Sequence, residues 1–274
     1  ETWGIGRMSY NSISKYGIFS QNRYIGGIDA RDMVGITRAF AVVKPDVVVN
    51  CIGVIKQSPL ASDPITSLEI NALFPHRLSV LCQAIGARLI HVSTDCVFSG
   101  NKGMYTEDDI ADAVDLYGRS KYLGEVAGSS CLTLRTSIIG RELGSRNGLL
   151  EWFLANRGKT VKGYSLAIFS GFTTVALARI IADVIDKYTY LDGLYQVSSD
   201  SISKYELLCM INRALVLETS IEPYREIKID RSLDSTRFQK ATGFTLPCWE
   251  DMVHELAQDP TPYDSWNSPC GTHC

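Results

Sequence analysis

The chain has 274 residues, of which 45% are hydrophobic, and its 27 basic and 30 acidic side chains give a net charge of −3. This near balance excludes a general nucleic-acid-binding protein, which carries a basic excess or a basic stripe. No apolar run approaches the roughly 18 residues that a membrane-spanning helix needs, so we expect no membrane association.

Eight cysteines are spread along the chain. The pattern of buried free thiols among apolar neighbours fits five of them: Cys51, Cys82, Cys96, Cys131 and Cys209. The first residues lack the basic and apolar regions of a signal peptide, so we expect a reduced, cytoplasmic protein. Cys270, His273 and Cys274 are too few ligands for a closed zinc site, and no metal is expected.

The start of the chain lacks the glycine-rich turn that binds a dinucleotide pyrophosphate. Open dinucleotide-binding folds begin with a strand, a G-x-G-x-x-G turn and a helix. The nearest fragment here, Gly4 to Gly6, has Ser9 where the third glycine belongs. We expect residues 3–7 to end a second strand, so that the sequence starts inside the fold. Either a first strand-turn-helix unit is missing from this sequence, or the molecule lacks a normal pyrophosphate site.

Strand-length apolar runs alternate with helical stretches through the first 140 residues, which is typical of a parallel sheet covered by helices. The predicted strands are 46–50, 88–92 and 132–135, and a predicted helix at 116–126 precedes the last of them. The sequence therefore predicts an α/β fold with a Rossmann-like, doubly wound parallel sheet.

One long helix in this region carries its own start, stop and kink signals. Asp63 is a good N-cap and Pro64 a good first helical residue. The helix is expected to run towards Gly86. Pro75 falls inside it and leaves the carbonyl of Asn71 without a helical donor, which predicts a kink near Asn71.

The pattern changes after residue 140. Helices are predicted at 148–156, 174–188, 203–215, 233–242 and 250–258, and strands at 166–169 and 193–197. We predict a nucleotide-binding domain over 1–140. Residues 141–274 are expected to form mainly a smaller substrate-binding lobe, with about 172–197 returning to the Rossmann sheet.

A hydroxyl, a phenol and an ammonium group form the most informative set of side chains. Thr94 ends an apolar strand, and Tyr117 and Lys121 lie four apart on the next predicted helix, so both can reach one ligand. A nearby ammonium lowers the pKa of a phenol from about 10, towards the range that suits proton transfer. Ligands bind at the carboxyl ends of parallel strands, where Thr94 can reach the same substrate oxygen. A second Y-x-x-x-K, from Tyr224 to Lys228, lies where a helix is doubtful.

These residues belong to longer segments that carry a family resemblance. The segments are 45–53 (PDVVVNCIG), 92–100 (VSTDCVFSG), 105–107 (YTE), 117–125 (YGRSKYLGE) and 134–140 (LRTSIIG). Together they resemble the extended short-chain dehydrogenase/reductase superfamily, and within it the dTDP-4-dehydrorhamnose reductase-like branch. The resemblance covers roughly residues 25–255.

The resemblance implies roles for individual residues. Tyr117 would be the general acid, Lys121 would lower its pKa and hold the nicotinamide ribose, and Thr94 would polarise a 4-keto group. Cofactor contacts are expected from Arg7, Asp29, Asn50, Cys51, Ile52, Gly53, Asn71, Tyr117, Lys121, Thr136 and Ser137. Substrate contacts are expected from Thr94, Asp95, Phe98, Trp152 and Thr173.

The cofactor is expected to be NADP(H) rather than NAD(H). An arginine at the end of the second strand can accept a 2′-phosphate, and Arg7 lies there. Asp29 either approaches the adenine or supports a turn. Asn71 either faces the active site or caps the helix break.

The function that the resemblance implies is NADPH-dependent reduction of the 4-keto group of a nucleotide-linked 6-deoxysugar. A sugar-nucleotide epimerase with the same machinery stays open. Related 4,6-dehydratases carry glutamate where this chain has Cys96, which argues against dehydration. A non-catalytic NADP- or sugar-nucleotide-binding subunit, similar to the regulatory subunit of methionine adenosyltransferase, is a third alternative. A homodimer is compatible with the sequence.

Overall fold

The computed structural model describes residues 1–144 and 146–267. Its strands are β1 Gly4–Ile5, β2 Tyr24–Ile25, β3 Val47–Asn50, β4 Arg88–Thr94, β5 Cys131–Thr136, β6 Ile138–Ile139, β7 Thr160–Tyr164, β8 Ala167–Phe169, β9 Phe172–Thr173, β10 Gly193–Gln196, β11 Ile202–Ser203, β12 Ser220–Tyr224 and β13 Ile229–Asp230. Its α-helices are α1 Tyr10–Ile13, α2 Met33–Val43, α3 Pro64–Ser67, α4 Phe74–Ile85, α5 Leu116–Leu123, α6 Leu149–Leu154, α7 Thr174–Asp186, α8 Lys204–Ala214, α9 Thr236–Thr242, α10 Trp249–Gln258 and α11 Tyr263–Asn267. The predicted cysteine–histidine cluster at 270–274 lies outside the described residues.

The central sheet has the strand order β10-β5-β4-β3, and all its pairs are parallel. Successive side chains of a strand point to opposite faces. Leu89 accordingly packs with α2 and α4 on one face, and Ile90 with α7 and α8 on the other. The predicted α/β fold with a parallel, Rossmann-like sheet is confirmed.

The predicted long helix forms with the expected ends and the expected irregularity. Asp63 accepts hydrogen bonds from the backbone N–H groups of Ile65 and Thr66, and Gly86 ends the helix with φ of 74°. Between α3 and α4, residues Leu68–Leu73 form a π-helical segment centred near Asn71. Pro75 has no N–H group to donate to the carbonyl of Asn71. The change from α-helical to π-helical hydrogen bonding therefore occurs where this donor is missing.

Helix α5 carries Tyr117 and Lys121 and packs unusually close to its neighbours. Asp115 caps its first turn by accepting a hydrogen bond from the N–H of Gly118 at 2.8 Å. A Cβ atom on Gly118 would lie 2.2 Å from the carbonyl oxygen of Cys96, and one on Gly124 only 1.8 Å from that of Asn71. These two glycines therefore let α5 contact both the turn after β4 and the π-helical segment.

The second half of the chain contributes to more than one sheet. Strand β10 pairs with β5 in the central sheet, whereas β8 joins β11 and β13 in a smaller sheet. Ser203 caps α8 with a reciprocal bond to Glu206. The pair β7 and β12 was not predicted, and because Tyr224 ends β12, the second Y-x-x-x-K does not lie on a helix.

The N-terminal strands stand apart from the central sheet. β1 pairs only with β2, and within the described residues no strand pairs with the outer edge of β3. Val49 on that edge strand is correspondingly exposed. None of the helices in the described part of the chain has the length and hydropathy needed to cross a membrane.

Candidate active site

A cavity of about 640 Å³ opens at the carboxyl ends of β3, β4 and β5. Its walls include residues 51–57 after β3, 92–96 at the end of β4 and 136–143 after β5. Residues 167–169, Lys204 and Arg231, from the second half of the chain, complete its lining. A cavity of about 730 Å³ beside α8 and α10 is lined by none of the predicted site residues. The first cavity is therefore the candidate active site, although it is the smaller of the two.

The structure brings Thr94, Tyr117 and Lys121 together in this cavity. The Thr94 hydroxyl donates to Asp95 Oδ1 at 3.0 Å and accepts from the N–H of Cys96 at 3.1 Å, and the Tyr117 phenol is near enough to influence it. Lys121 Nζ donates to the carbonyl oxygen of Val92 at 2.9 Å. Strand β4, its turn and one face of α5 thus supply a hydroxyl, a phenol and an ammonium group to one cleft.

The pKa of Tyr117 departs from the sequence-based expectation. Burial raises it, the neighbouring Cys96 adds to the rise, and the hydrogen bond with Thr94 only partly opposes them. Burial also lowers the pKa of Lys121 to about 8, although Glu125 and Cys51 favour its charged form. The Tyr117 pKa is thus raised and not lowered as expected from the neighbouring Lys121, because removal from water is the largest influence on the phenol.

The lowered pKa of Lys121 gives a testable pH dependence. Below about pH 8 the side chain is charged, and above it the charge is lost. If this charge holds the cofactor, kcat/KM for NADPH should fall as pH rises through about 8, since that ratio reports ionisations of the free enzyme. Steady-state kinetics across this range checks it. A profile that stays flat up to the ordinary lysine pKa of about 10.4 would contradict the assignment.

Two buried amides shape the turn that follows β3. Asn50 donates from Nδ2 to His91 Nδ1 at 3.0 Å and accepts from the N–H of Ile52 at 3.0 Å. Asn71 binds both backbone groups of Val54 and donates to Ser120 Oγ at 3.1 Å. Neither asparagine lines the cavity. Their amides bond to groups of the protein itself and support the turn.

His91 gives a testable acid dependence of stability. Burial lowers its pKa to about 3, and Lys121 and His76 contribute to the same shift. Between about pH 6.5 and pH 3 the unfolded chain binds a proton that the folded chain refuses, so stability falls with acid by up to about 1.4 kcal/mol per pH unit.

The variant His91→Asn can still accept the Asn50 hydrogen bond through its amide oxygen but does not titrate. Urea unfolding at several pH values should therefore give it a shallower acid slope than the unchanged chain. Equal slopes would contradict a neutral, buried imidazole.

A buried ion pair near the site has no counterpart in the sequence-based predictions. Glu125 accepts from Arg135 Nε and Nη2 at 2.8 and 2.7 Å, and from Ser93 Oγ at 2.7 Å. The Arg135 guanidinium also lies 5.1 Å from the ring centre of Phe98. Glu125 follows Lys121 by four residues, so i,i+4 spacing was the available signal for its position on the lysine face.

Three expected substrate contacts do not line the cavity. Phe98 is fully buried and stacks on Tyr105 with ring centres 4.1 Å apart. Thr173 is buried as the N-cap of α7, where its hydroxyl accepts from the N–H of Ala176. Trp152 is 41% exposed and does not line the cavity, since α6 buries its Leu150 and Phe153 side instead.

Two expected adenosine contacts lie away from the cavity lining. Asp29 accepts hydrogen bonds from the backbone and side chain of Arg31, which lower its pKa. This is the turn-supporting alternative. Arg7 follows β1 and is exposed, with Asp29 near enough for an electrostatic interaction.

The remaining predicted contacts all lie on the walls of the cavity. Besides the three residues at its centre, these are Cys51, Ile52, Gly53, Asp95, Thr136 and Ser137. The structure therefore separates one coherent group of candidate residues from those that are occupied in packing or in capping.

Comparisons with known proteins agree with this architecture. The family model of the RmlD substrate-binding domain matches residues 8–261. The spore coat polysaccharide biosynthesis protein SpsK of Bacillus subtilis is 31% identical over 243 residues, which span 83% of this chain and 84% of that protein. A dTDP-4-dehydrorhamnose reductase of Streptomyces griseus is 36% identical over 103 residues, 37% of this chain and 34% of that protein.

A solved structure extends the fold similarity over nearly the whole chain. The dTDP-4-dehydrorhamnose reductase of Bacillus anthracis, in complex with NADP, has a TM-score of 0.74 and 19% identity, covering 93% of this chain and 99% of that one. This similarity concerns the fold. With the family match and the relationship to SpsK, the chain belongs to the family of the RmlD substrate-binding domain, as the resemblance of its sequence predicts.

Proposed function

We propose that the chain is a reductase that delivers a hydride from NADPH to the 4-keto carbon of a nucleotide-linked 6-deoxysugar. The observation that carries this proposal is the convergence of Thr94, Tyr117 and Lys121 on one cavity at the ends of parallel strands. Relatives that are dTDP-4-dehydrorhamnose reductases support the same reaction and substrate class.

Each of the three residues has a distinct task in the proposed reaction. NADPH, when bound, supplies the hydride. Tyr117 protonates the oxygen that becomes the 4-hydroxyl, and its high pKa keeps the proton available at neutral pH. Lys121 holds the nicotinamide ribose through its ammonium group. Thr94 hydrogen-bonds the same substrate oxygen and orients it towards Tyr117.

The cleft offers contacts for the nicotinamide end of the cofactor. Tyr117, Lys121 and Thr136 line the cleft together with Gly53 of the turn after β3. A Cβ atom on Gly53 would be 3.3 Å from Asn71 Oδ1, so this turn is closely packed. The described residues offer no glycine-rich turn for the pyrophosphate. Arg7 supports the proposed preference for NADP(H), since a guanidinium can accept a 2′-phosphate.

The experiment is incubation of the protein with NADPH and a panel of nucleotide-linked 4-keto-6-deoxysugars. Loss of the reduced-nicotinamide absorbance with turnover supports the reductase. Isomerised sugar without net oxidation supports an epimerase instead. Binding of NADPH or sugar nucleotide without either reaction supports a regulatory subunit. Cys96, at the position where dehydratases need an acid, disfavours water elimination.

A further inference from the structure

While Asp95 is ionised, Thr94 cannot donate its single hydroxyl hydrogen both to Asp95 and to a substrate oxygen. A hydroxyl donates one hydrogen and accepts two. Thr94 Oγ1 accepts one hydrogen bond from the N–H of Cys96 at 3.1 Å. One donor position and one acceptor position of Thr94 Oγ1 remain. Asp95, Tyr117 and the substrate oxygen compete for these two positions.

An ionised Asp95 would turn both proton donors away from the substrate. A carboxylate only accepts, so the single Thr94 hydrogen would point at Asp95 Oδ1, 3.0 Å away. The second lone pair of Thr94 would then attract the Tyr117 hydrogen. In that arrangement neither hydroxyl presents a hydrogen to a keto oxygen in the cleft.

A protonated Asp95 reverses the direction of these bonds. Its carboxyl hydrogen fills the second acceptor position of Thr94, and the Thr94 hydrogen is released. Tyr117 then has no acceptor on Thr94, so its hydrogen is released as well. Both hydroxyls can now donate to the substrate oxygen, with every polar group still paired.

The surroundings of Asp95 favour the protonated form. The residue is 6% exposed, and in the part of the chain that the structure describes no basic nitrogen lies within ion-pair distance of it. Arg231, Lys204 and the neighbouring Cys96 and Thr94 side chains favour its charged form, and Tyr117 lies beyond Thr94. Arg231 also interacts electrostatically with Asp112 and Asp115, and its Nε donates a hydrogen bond to the carbonyl oxygen of Phe98. Burial outweighs these cations and raises the pKa of Asp95.

We infer that Asp95 carries a proton in the working enzyme and donates it to Thr94 Oγ1, which directs the hydrogens of Thr94 and Tyr117 at the substrate oxygen. Asp95 is a positioning residue, because it acts through Thr94 and keeps its proton throughout the reaction. The proton that the product gains comes from Tyr117. The inference rests on the proposed function, since it assumes a keto oxygen in this cleft.

Two variants separate this role from simple packing. Asp95→Asn can donate from its amide to Thr94 as a protonated carboxyl does, so its kcat should be at least about tenfold higher than that of Asp95→Ala. Asp95→Ala leaves Thr94 without that donor and should lower kcat by about 10²-fold with little change in KM, the size of effect that misplaced catalytic groups produce. A loss in Asp95→Asn as large as in Asp95→Ala would overturn the inference.

Infrared spectroscopy tests whether Asp95 is protonated and does not require enzymatic turnover. Infrared spectra of the full chain at neutral pH should contain the C=O stretch of a protonated carboxyl, which shifts in D₂O and disappears in Asp95→Asn. If no protonated carboxyl band exists, the inference is overturned, whether or not the variants fold. If the band is present but no keto sugar is reduced, the proposed function fails and the protonation of Asp95 stands.

Discussion

Replacing Tyr117 with phenylalanine is expected to lower kcat by about 10²–10⁴-fold while leaving the fold intact. The range is the usual contribution of a positioned general acid. Tyr117 lines the cleft together with Lys121 and Thr94, and the substitution removes one hydroxyl and keeps the ring. Steady-state reduction of the keto sugar measures kcat, and far-ultraviolet circular dichroism measures the fold.

Tyr122→Phe is the matched control, because it removes the same group from the neighbouring position of α5. The Tyr122 side chain is 46% exposed and does not line the cavity. Its variant should keep full activity. A Tyr117→Phe protein that is as active as this control would remove Tyr117 from the mechanism and leave only a packing role for its ring.

Replacing Gly124 with alanine is expected to lower the free energy of unfolding by about 3 kcal/mol, near the upper end for an overpacked contact. The new Cβ atom would lie 1.8 Å from the carbonyl oxygen of Asn71, and backbone atoms cannot yield as a side chain can. Because Gly124 has φ of −92°, alanine suffers no backbone strain there, and the loss is steric. Displacing α5 from the π-helical segment should also lower kcat, since α5 carries Tyr117 and Lys121.

Gly35→Ala in α2 is the comparison for that experiment. Its Cβ atom would also meet a neighbour, but that neighbour is the carboxylate end of the Asp32 side chain, which can rotate away. Urea unfolding should therefore give a much smaller loss of stability for Gly35→Ala. Equal losses in the two variants would mean that close backbone contact at Gly124 is not what makes its substitution costly.

Local signals in the sequence were sufficient for most of the elements. Asp63, Pro64 and Gly86 mark the ends of one helix through capping and backbone preferences that depend on a few adjacent residues. Pro75 marks the π-helical segment because it removes one hydrogen-bond donor. Short runs of β-branched residues likewise predicted β3 and β4. The pair β7 and β12 was missed, since strands 60 residues apart are stabilised by pairing that no local pattern records.

For the site, the sequence by itself determined which chemical groups are available and that Tyr117 and Lys121 share a helical face, because both follow from residue type and helical period. Only the tertiary structure decided which candidates meet in the cleft. In the folded chain Phe98 is buried in the core, Thr173 is the N-cap of α7, and Trp152 is exposed on α6. The tertiary structure also decided the direction in which the pKa of each titratable site residue shifts. Burial raises the pKa of Tyr117 and Asp95 and lowers that of Lys121, and burial depends on contacts between distant segments rather than on neighbours in the chain.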